Sequence, residues 1–174
     1  MWKNARQLIL RVVICGIVVI LCLGGVEALS ALPATAAIRQ LEEAPGQVVY
    51  QSRQTLQDQH GNSWQAIAFK RIRPGKDPVL FLRLVAFPGI ASIDRSHPLV
   101  LTNSLGNVLT ADDASARIFT DEASPEPNVG QYDLAPIISE LQPILPLKLS
   151  LPTTQSEPVE ILVPSSLVEE WKTL

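Results

Sequence analysis

Proline and glycine cut this chain into short pieces. All but Pro33 of its 14 prolines lie beyond residue 44, and so do six of its nine glycines. Proline removes a ladder donor and glycine tolerates positive φ, so each cluster marks a turn. What lies between is about seven short runs of alternating or β-rich residues. Val48 to Gln57 sets Val48, Tyr50, Ser52 and Gln54 against Val49, Gln51, Arg53 and Thr55. Ser63 to Ile72 follows across a polar loop centred on Gly61, and the two runs predict a β-hairpin. Val79 to Phe87 is apolar on both faces apart from Arg83, the pattern of a central strand covered on each side.

The remaining runs are shorter. Leu99 to Asn103 and Asn107 to Thr110 flank a Ser-Leu-Gly turn, and Leu147 to Leu151 and Val159 to Val163 complete the strands. Ile38 to Gly46 is polar and is read as a flexible start or one helical turn. Ala111 to Phe119 suits a helical turn with an aspartate cap. Asp133 is placed to cap a helix over Leu134 to Leu141, with Pro136 in its first turn. Ser166 to Glu169 has capping-box spacing ahead of a short helix reaching Trp171. The expected fold is mainly β: a small antiparallel sandwich or barrel-like sheet with one or two short helices. The alternative is an α+β layer with the Leu134 helix on one sheet.

That domain is expected over residues 37–174. Residues 1–36 have the order of a signal peptide: basic Lys3, Arg6 and Arg11, an uncharged apolar run from Val12 to Val26, then Ala34-Thr35-Ala36 as a cleavage site. A membrane anchor is the alternative, since Leu8 to Leu32 is long enough to span a bilayer. In both cases the basic end stays inside and the domain is exported, with membrane contact through the N-terminal segment if it is uncleaved.

Removing that segment leaves a distinctive domain. Cys15 and Cys22 are the only cysteines and both go with it, so no disulfide, thiolate metal site or cysteine nucleophile is available. The 14 basic residues lose three and the 17 acidic residues lose one, for a net charge of −5. An acidic domain without a long basic run is a poor binder of nucleic acid.

Chemical motifs are sparse. His60 and His97 are isolated and supply no zinc spacing. Asp94, Ser96 and His97 include the residue types of a serine triad, but no nucleophile-elbow motif accompanies them. Asp112-Asp113 and the Asp121, Glu122, Glu126 run lack calcium-loop spacing and read as solvated acidic loops. No metal or cofactor is expected. The charged feature that stands out is a basic group around one turn: Lys70, Arg71, Arg73, Lys76 and Arg83. Such residues protect a sheet edge, or else dock an acidic partner or anionic headgroups. Tyr132 beside the Pro-rich acidic loop is a second candidate contact.

Gln47-Val48-Val49-Tyr50-Gln51-Ser52, Phe81-Leu82-Arg83-Leu84-Val85, Asn128 to Asp133 and Pro164 to Trp171 together resemble an uncharacterised cyanobacterial family, domain of unknown function 3122. The resemblance covers nearly all of residues 37–174. It implies an exported protein of a photosynthetic bacterium, in the thylakoid lumen or periplasm, and brings no site residues. The expected function is protein–protein contact without enzymatic activity, as an accessory or assembly factor of a photosynthetic membrane complex. A small-ligand binder with a cavity between sheet and helix is the alternative, and a hydrolase with a dispersed site is third.

Overall fold

The computed structural model describes residues 38–119, 124–155 and 157–174. The signal-peptide reading of residues 1–36 therefore lies outside the described residues, as do Asp121 and Glu122. Among the described residues, nine strands form two antiparallel sheets. β1 (Arg39–Ala44), β2 (Gln47–Gln57), β3 (Ser63–Arg73), β4 (Lys76–Ala86) and β7 (Val129–Asp133) make the first, in the order β1-β2-β3-β4-β7. β5 (Leu99–Asn103), β6 (Val108–Ala111), β8 (Leu147–Leu151) and β9 (Val159–Val163) make the second, in the order β6-β5-β8-β9. One α-helix among the described residues, α1 (Ser165–Thr173), follows.

Alternation in the sequence decides what each sheet buries. Leu56, Trp64, Ala66, Ala68, Leu82 and Leu84 fall on one face of the first sheet because directly paired residues share a face. They meet Leu99, Leu101, Leu149, Leu151 and Ile161 of the second sheet in one core, with Leu167, Val168 and Trp171 of α1. The opposite face of the first sheet carries a smaller cluster of Val49, Phe69, Phe81 and Ala114. β4 is thus central, as its two apolar faces suggested, although Val85 on the outer face is only half-buried and Phe87 just beyond is exposed.

Two hairpins turn on Pro-Gly pairs, Pro45-Gly46 and Pro74-Gly75, with φ of 75° and 68° at the glycines. Proline first and positive-φ glycine second is the type II arrangement, which splays a hairpin. Each ladder shifts register just before its turn, at Glu42/Ala44 and at Arg71/Arg73, and the bulge absorbs the mismatch. Pro78 sits within the second irregularity, between the pairs Arg71↔Val79 and Arg73↔Lys76, where no ladder N–H is needed.

The sheets are tied at two seams without closing into a barrel. At one, Asp58 bridges Ile161, and Gln59 donates its backbone N–H to Glu160 O at 3.1 Å while its side-chain oxygen accepts from Glu160 N at 2.7 Å. At the other, Asp113 bridges Tyr132, supported by Ala114 N to Gln131 O at 2.7 Å and Asp133 N to Asp112 O at 3.0 Å.

Four expectations need correction. Residues 39–44 are a strand, not a helical turn or loose start. They form an exposed edge strand, so neither face shows an apolar period. No helix forms over Leu134 to Leu141. Asp133 does accept from Ala135 N at 3.0 Å, but the segment continues only as turns over residues 135–140, and Pro143 lies in a separate turn closed by Leu145 N to Gln142 O at 3.1 Å. The capping box at Ser166 is not made, because α1 begins at Ser165 with Pro164 as its cap, so Ser166 lies inside the first turn and no side-chain cap forms. Tyr132 is no surface contact: it is fully buried in the core. The aspartate-capped turn after β6 is a short 3-10 turn, Ser115–Arg117, with Ser115 N held by Asp113 Oδ2 at 3.2 Å.

The Tyr132 hydroxyl has no hydrogen-bond partner among the described residues, and burial, then the Asp113 charge, raise its pKa well above the usual phenol range. An unmet buried hydroxyl costs stability. Tyr132→Phe is therefore expected to leave the urea midpoint unchanged or raise it slightly. A drop of more than about 1 kcal/mol would mean that the hydroxyl is satisfied in solution.

Candidate functional site: an arginine face on the first sheet

The outer face of the first sheet gathers most of the domain's positive charge. Strand pairing places Arg39 beside Gln51, Ile67 between Arg53 and Arg83, and Arg71 beside Val49. Gln131 of β7 pairs with Arg83, and Asp133 with Phe81. Arg117, from the 3-10 turn, completes the row over Phe81, and the Arg73↔Lys76 pair closes its turn end. Seven of the eleven basic residues in 37–174 therefore meet on one side of an acidic domain.

Aromatic rings form its floor. Phe69 and Phe81 pack with centroids 5.8 Å apart and planes tilted by 56°. The Arg71 and Arg83 guanidinium carbons stand 5.4 and 5.3 Å from the Phe69 centroid, and that of Arg117 stands 5.8 Å from Phe81. These are cation–π distances, and they hold the guanidinium groups in place.

Polar neighbours fix them further. Arg83 donates from Nε and Nη2 to Gln131 Oε1 at 3.2 and 2.8 Å. Gln131 is itself anchored, donating to Ala114 O at 3.2 Å. Gln51, with its amide oxygen turned to the guanidinium, accepts from Arg53 Nε and Nη2 at 3.1 and 3.3 Å. Arg71 Nη2 donates to Glu43 Oε1 at 3.2 Å. Its Nε lies 3.0 Å from Glu43 Oε2 as an ion-pair contact without hydrogen-bond alignment.

Charge on this face is unbalanced. The two carboxylates that meet it are already engaged, Glu43 with Arg71 and Asp133 with Arg117 at 3.4 Å. Burial pushes Glu43 up, but Arg71, with Gln47 and Arg73, outweighs it and holds the carboxyl below its usual range. Arg83 is lowered by burial first and then by repulsion from Arg71 and Arg53, with Glu43 opposing. A cleft of about 80 Å³ opens among Gln51, Arg53, Phe69, Arg71, Arg83 and Glu43. An anion placed there would relieve the crowding of three guanidinium groups.

The basic turn expected from the sequence is thus split. Arg71 and Arg83 line this cleft, and Arg73 and Lys76 pair beyond it at the turn end of the β3–β4 hairpin. Lys70 pairs with Tyr50 and Leu80 and so faces the other way. Arg53, Arg117, Gln51 and Gln131 escaped the sequence reading because they come from other strands and turns. The alternation of β2, which puts Arg53 with Val49 and Gln51, was the usable signal.

The Asp94, Ser96, His97 group does form, but not as a triad. Asp94 Oδ2 and Ser96 Oγ approach the same ring atom, His97 Nδ1, at 2.9 and 3.0 Å. A relay needs the serine on one nitrogen and the carboxylate on the other. Hydrogen bonds from Ser96 and then His97 hold Asp94 below its usual pKa, as expected of an exposed turn. His60 contributes its backbone N–H to Asp58 Oδ1 at 2.9 Å. Among the described residues, no three of histidine, cysteine, aspartate and glutamate are grouped to hold a metal ion.

Residues 36–174 match a family described as Protein of unknown function (DUF3122). No curated protein and no solved structure matches the chain.

Proposed function

Since the chain belongs to the DUF3122 family of proteins of unknown function, whose match spans the whole β domain, we propose from its geometry that it is a binding domain whose arginine face docks an acidic segment of a protein partner. The observation that carries this reading is the convergence of Arg53, Arg71 and Arg83 on one cleft that also holds Phe69, with Arg71 and Arg83 over its ring and Glu43 as the one carboxylate. Guanidinium groups oriented by glutamines present planar forks that match carboxylates. Stacking on the ring lowers the entropy lost when they engage. The surrounding negative charge of the domain disfavours other approaches, so the face also steers the encounter.

The signal-like residues 1–36 and the cyanobacterial resemblance support an exported setting, thylakoid lumen or periplasm, and a membrane complex as the partner. The role is then accessory or assembly work without bond-making chemistry.

Binding of a glutamate-rich peptide to the full chain tests the face. We expect saturable binding that weakens as salt rises. Arg53→Glu with Arg71→Glu is expected to reduce affinity at least 100-fold, with the cooperative melt retained. Lys148→Glu, in the second sheet, serves as the control and should have little effect. Binding that survives the double reversal, or that falls equally in the control, overturns the proposal. Vesicles of anionic lipid bound as tightly as the peptide would assign the face to a membrane surface instead.

A further inference from the structure

A second cleft lies on the opposite side of the first sheet, between the end of the β3–β4 hairpin and α1. Its volume is about 220 Å³, and Lys70, Leu80, Ile138, Trp171, Lys172 and Leu174 are among its walls. The apolar side chains come from three separate elements, so the opening is built by the tertiary fold.

Its polar content has one sign. Lys70 and Lys172 line it, and no aspartate or glutamate side chain does so among the described residues. Lys172 is fixed: its Nζ donates to Leu141 O at 2.6 Å and to Ser139 O at 3.3 Å. Lys70 has no ion-pair partner among the described residues. Trp171 is fully buried and forms part of the wall, and its indole Nε1 has no acceptor among the described residues.

From these features we infer that the cleft receives a small carboxylate with an apolar body, its acid group directed to Lys70 and its body packed on Leu80, Ile138 and Leu174. Size agrees. An apolar cavity of roughly 150 Å³ holds one benzene, so about 220 Å³ admits a single ring or a short acyl chain with its head group. Two positive charges over an apolar floor reject cations and gain little from a small polar anion such as acetate. This site is independent of the arginine face, and either assignment can fail alone.

Calorimetric titration of the full chain with octanoate and benzoate, alongside octanol, benzyl alcohol and acetate, tests it. We expect saturable binding of the two apolar carboxylates, weaker binding of the neutral alcohols and none of acetate. Lys70→Met should weaken octanoate about tenfold and leave octanol unchanged. Ala135→Trp, placed at the exposed rim, should block both. No saturable binding of either carboxylate overturns the inference. Octanoate affinity unchanged in Lys70→Met removes the assigned head-group contact, and affinity unchanged in Ala135→Trp shows that the ligand sits elsewhere.

Discussion

Replacing Asp58 by alanine is expected to destabilise the domain by about 3 kcal/mol or more, the largest effect of any polar substitution in it. The carboxylate is almost wholly buried and satisfies four donors. Oδ1 accepts from His60 N and Asn62 N, both at 2.9 Å, and Oδ2 accepts from Asn62 Nδ2 and Trp64 Nε1, both at 3.0 Å. It thereby closes the β2–β3 loop, orients the buried Trp64 and sits at a seam where the two sheets touch. Alanine leaves the indole donor unmet in the core. Trp64→Phe in the Asp58→Ala background should restore part of the loss, and the double-mutant cycle gives the coupling directly. Additive single effects would mean that the indole hydrogen bond contributes nothing.

The same carboxylate predicts acid sensitivity. Burial pushes Asp58 up, but the hydrogen bonds from Trp64, Asn62 and His60 outweigh it, so its folded pKa lies below the ordinary value. Its stabilisation is therefore complete above the unfolded pKa, about 3.9, and is lost as pH falls through the depressed folded value. Denaturant midpoints measured from pH 6 down to pH 2 should fall in the native chain, and fall less in Asp58→Asn.

Trp171→Ala is expected to cost roughly 3–5 kcal/mol, the range for a large aromatic removed from a packed core. α1 is nine residues long, too short to hold itself together, and depends on Leu167, Val168 and Trp171 packing into the main core. A cost below about 1 kcal/mol would show that the helix is not part of the cooperative unit.

How far these features could be read from the chain depends on which residues signal them. The β2–β3 hairpin was legible because Val48 to Gln57 and Ser63 to Ile72 alternate and Gly61 marks the loop. β1 was not, because a strand exposed on both faces carries no apolar period. Leu134 to Leu141 carries helical spacing and an aspartate in the capping position. Only tertiary context shows that its turns serve to bring Leu134, Ile137 and Leu141 into the core. Tyr132 looked exposed because it follows a polar loop, whereas β7 is inserted between β4 and the 112–114 segment and buries it.

The site was half legible. Arg71 and Arg83 were visible as members of a basic group, but a grouping by sequence distance mixes the two faces of a strand. Lys70 and Arg71 are neighbours in the chain and point to opposite sides of the sheet. Arg53 is distant in the chain and joins Arg71 and Arg83 through pairing. Cross-strand register, set by long-range contacts, is what composition and local spacing lack.

The order of the strands also governs how the chain must emerge. A polypeptide appearing N-terminus first contains all the residues of β1–β4 well before residue 129, and nothing earlier in the chain pairs with the far side of β4. That edge carries Phe81, Leu82, Leu84 and Val85, an apolar template for any passing strand, and it stays open until Val129–Asp133 arrives to cover it. Gln131, which orients Arg83, arrives in the same step. Covering the β4 rim and fixing Arg83 are therefore one event, and a chain halted before it would leave that edge unpaired.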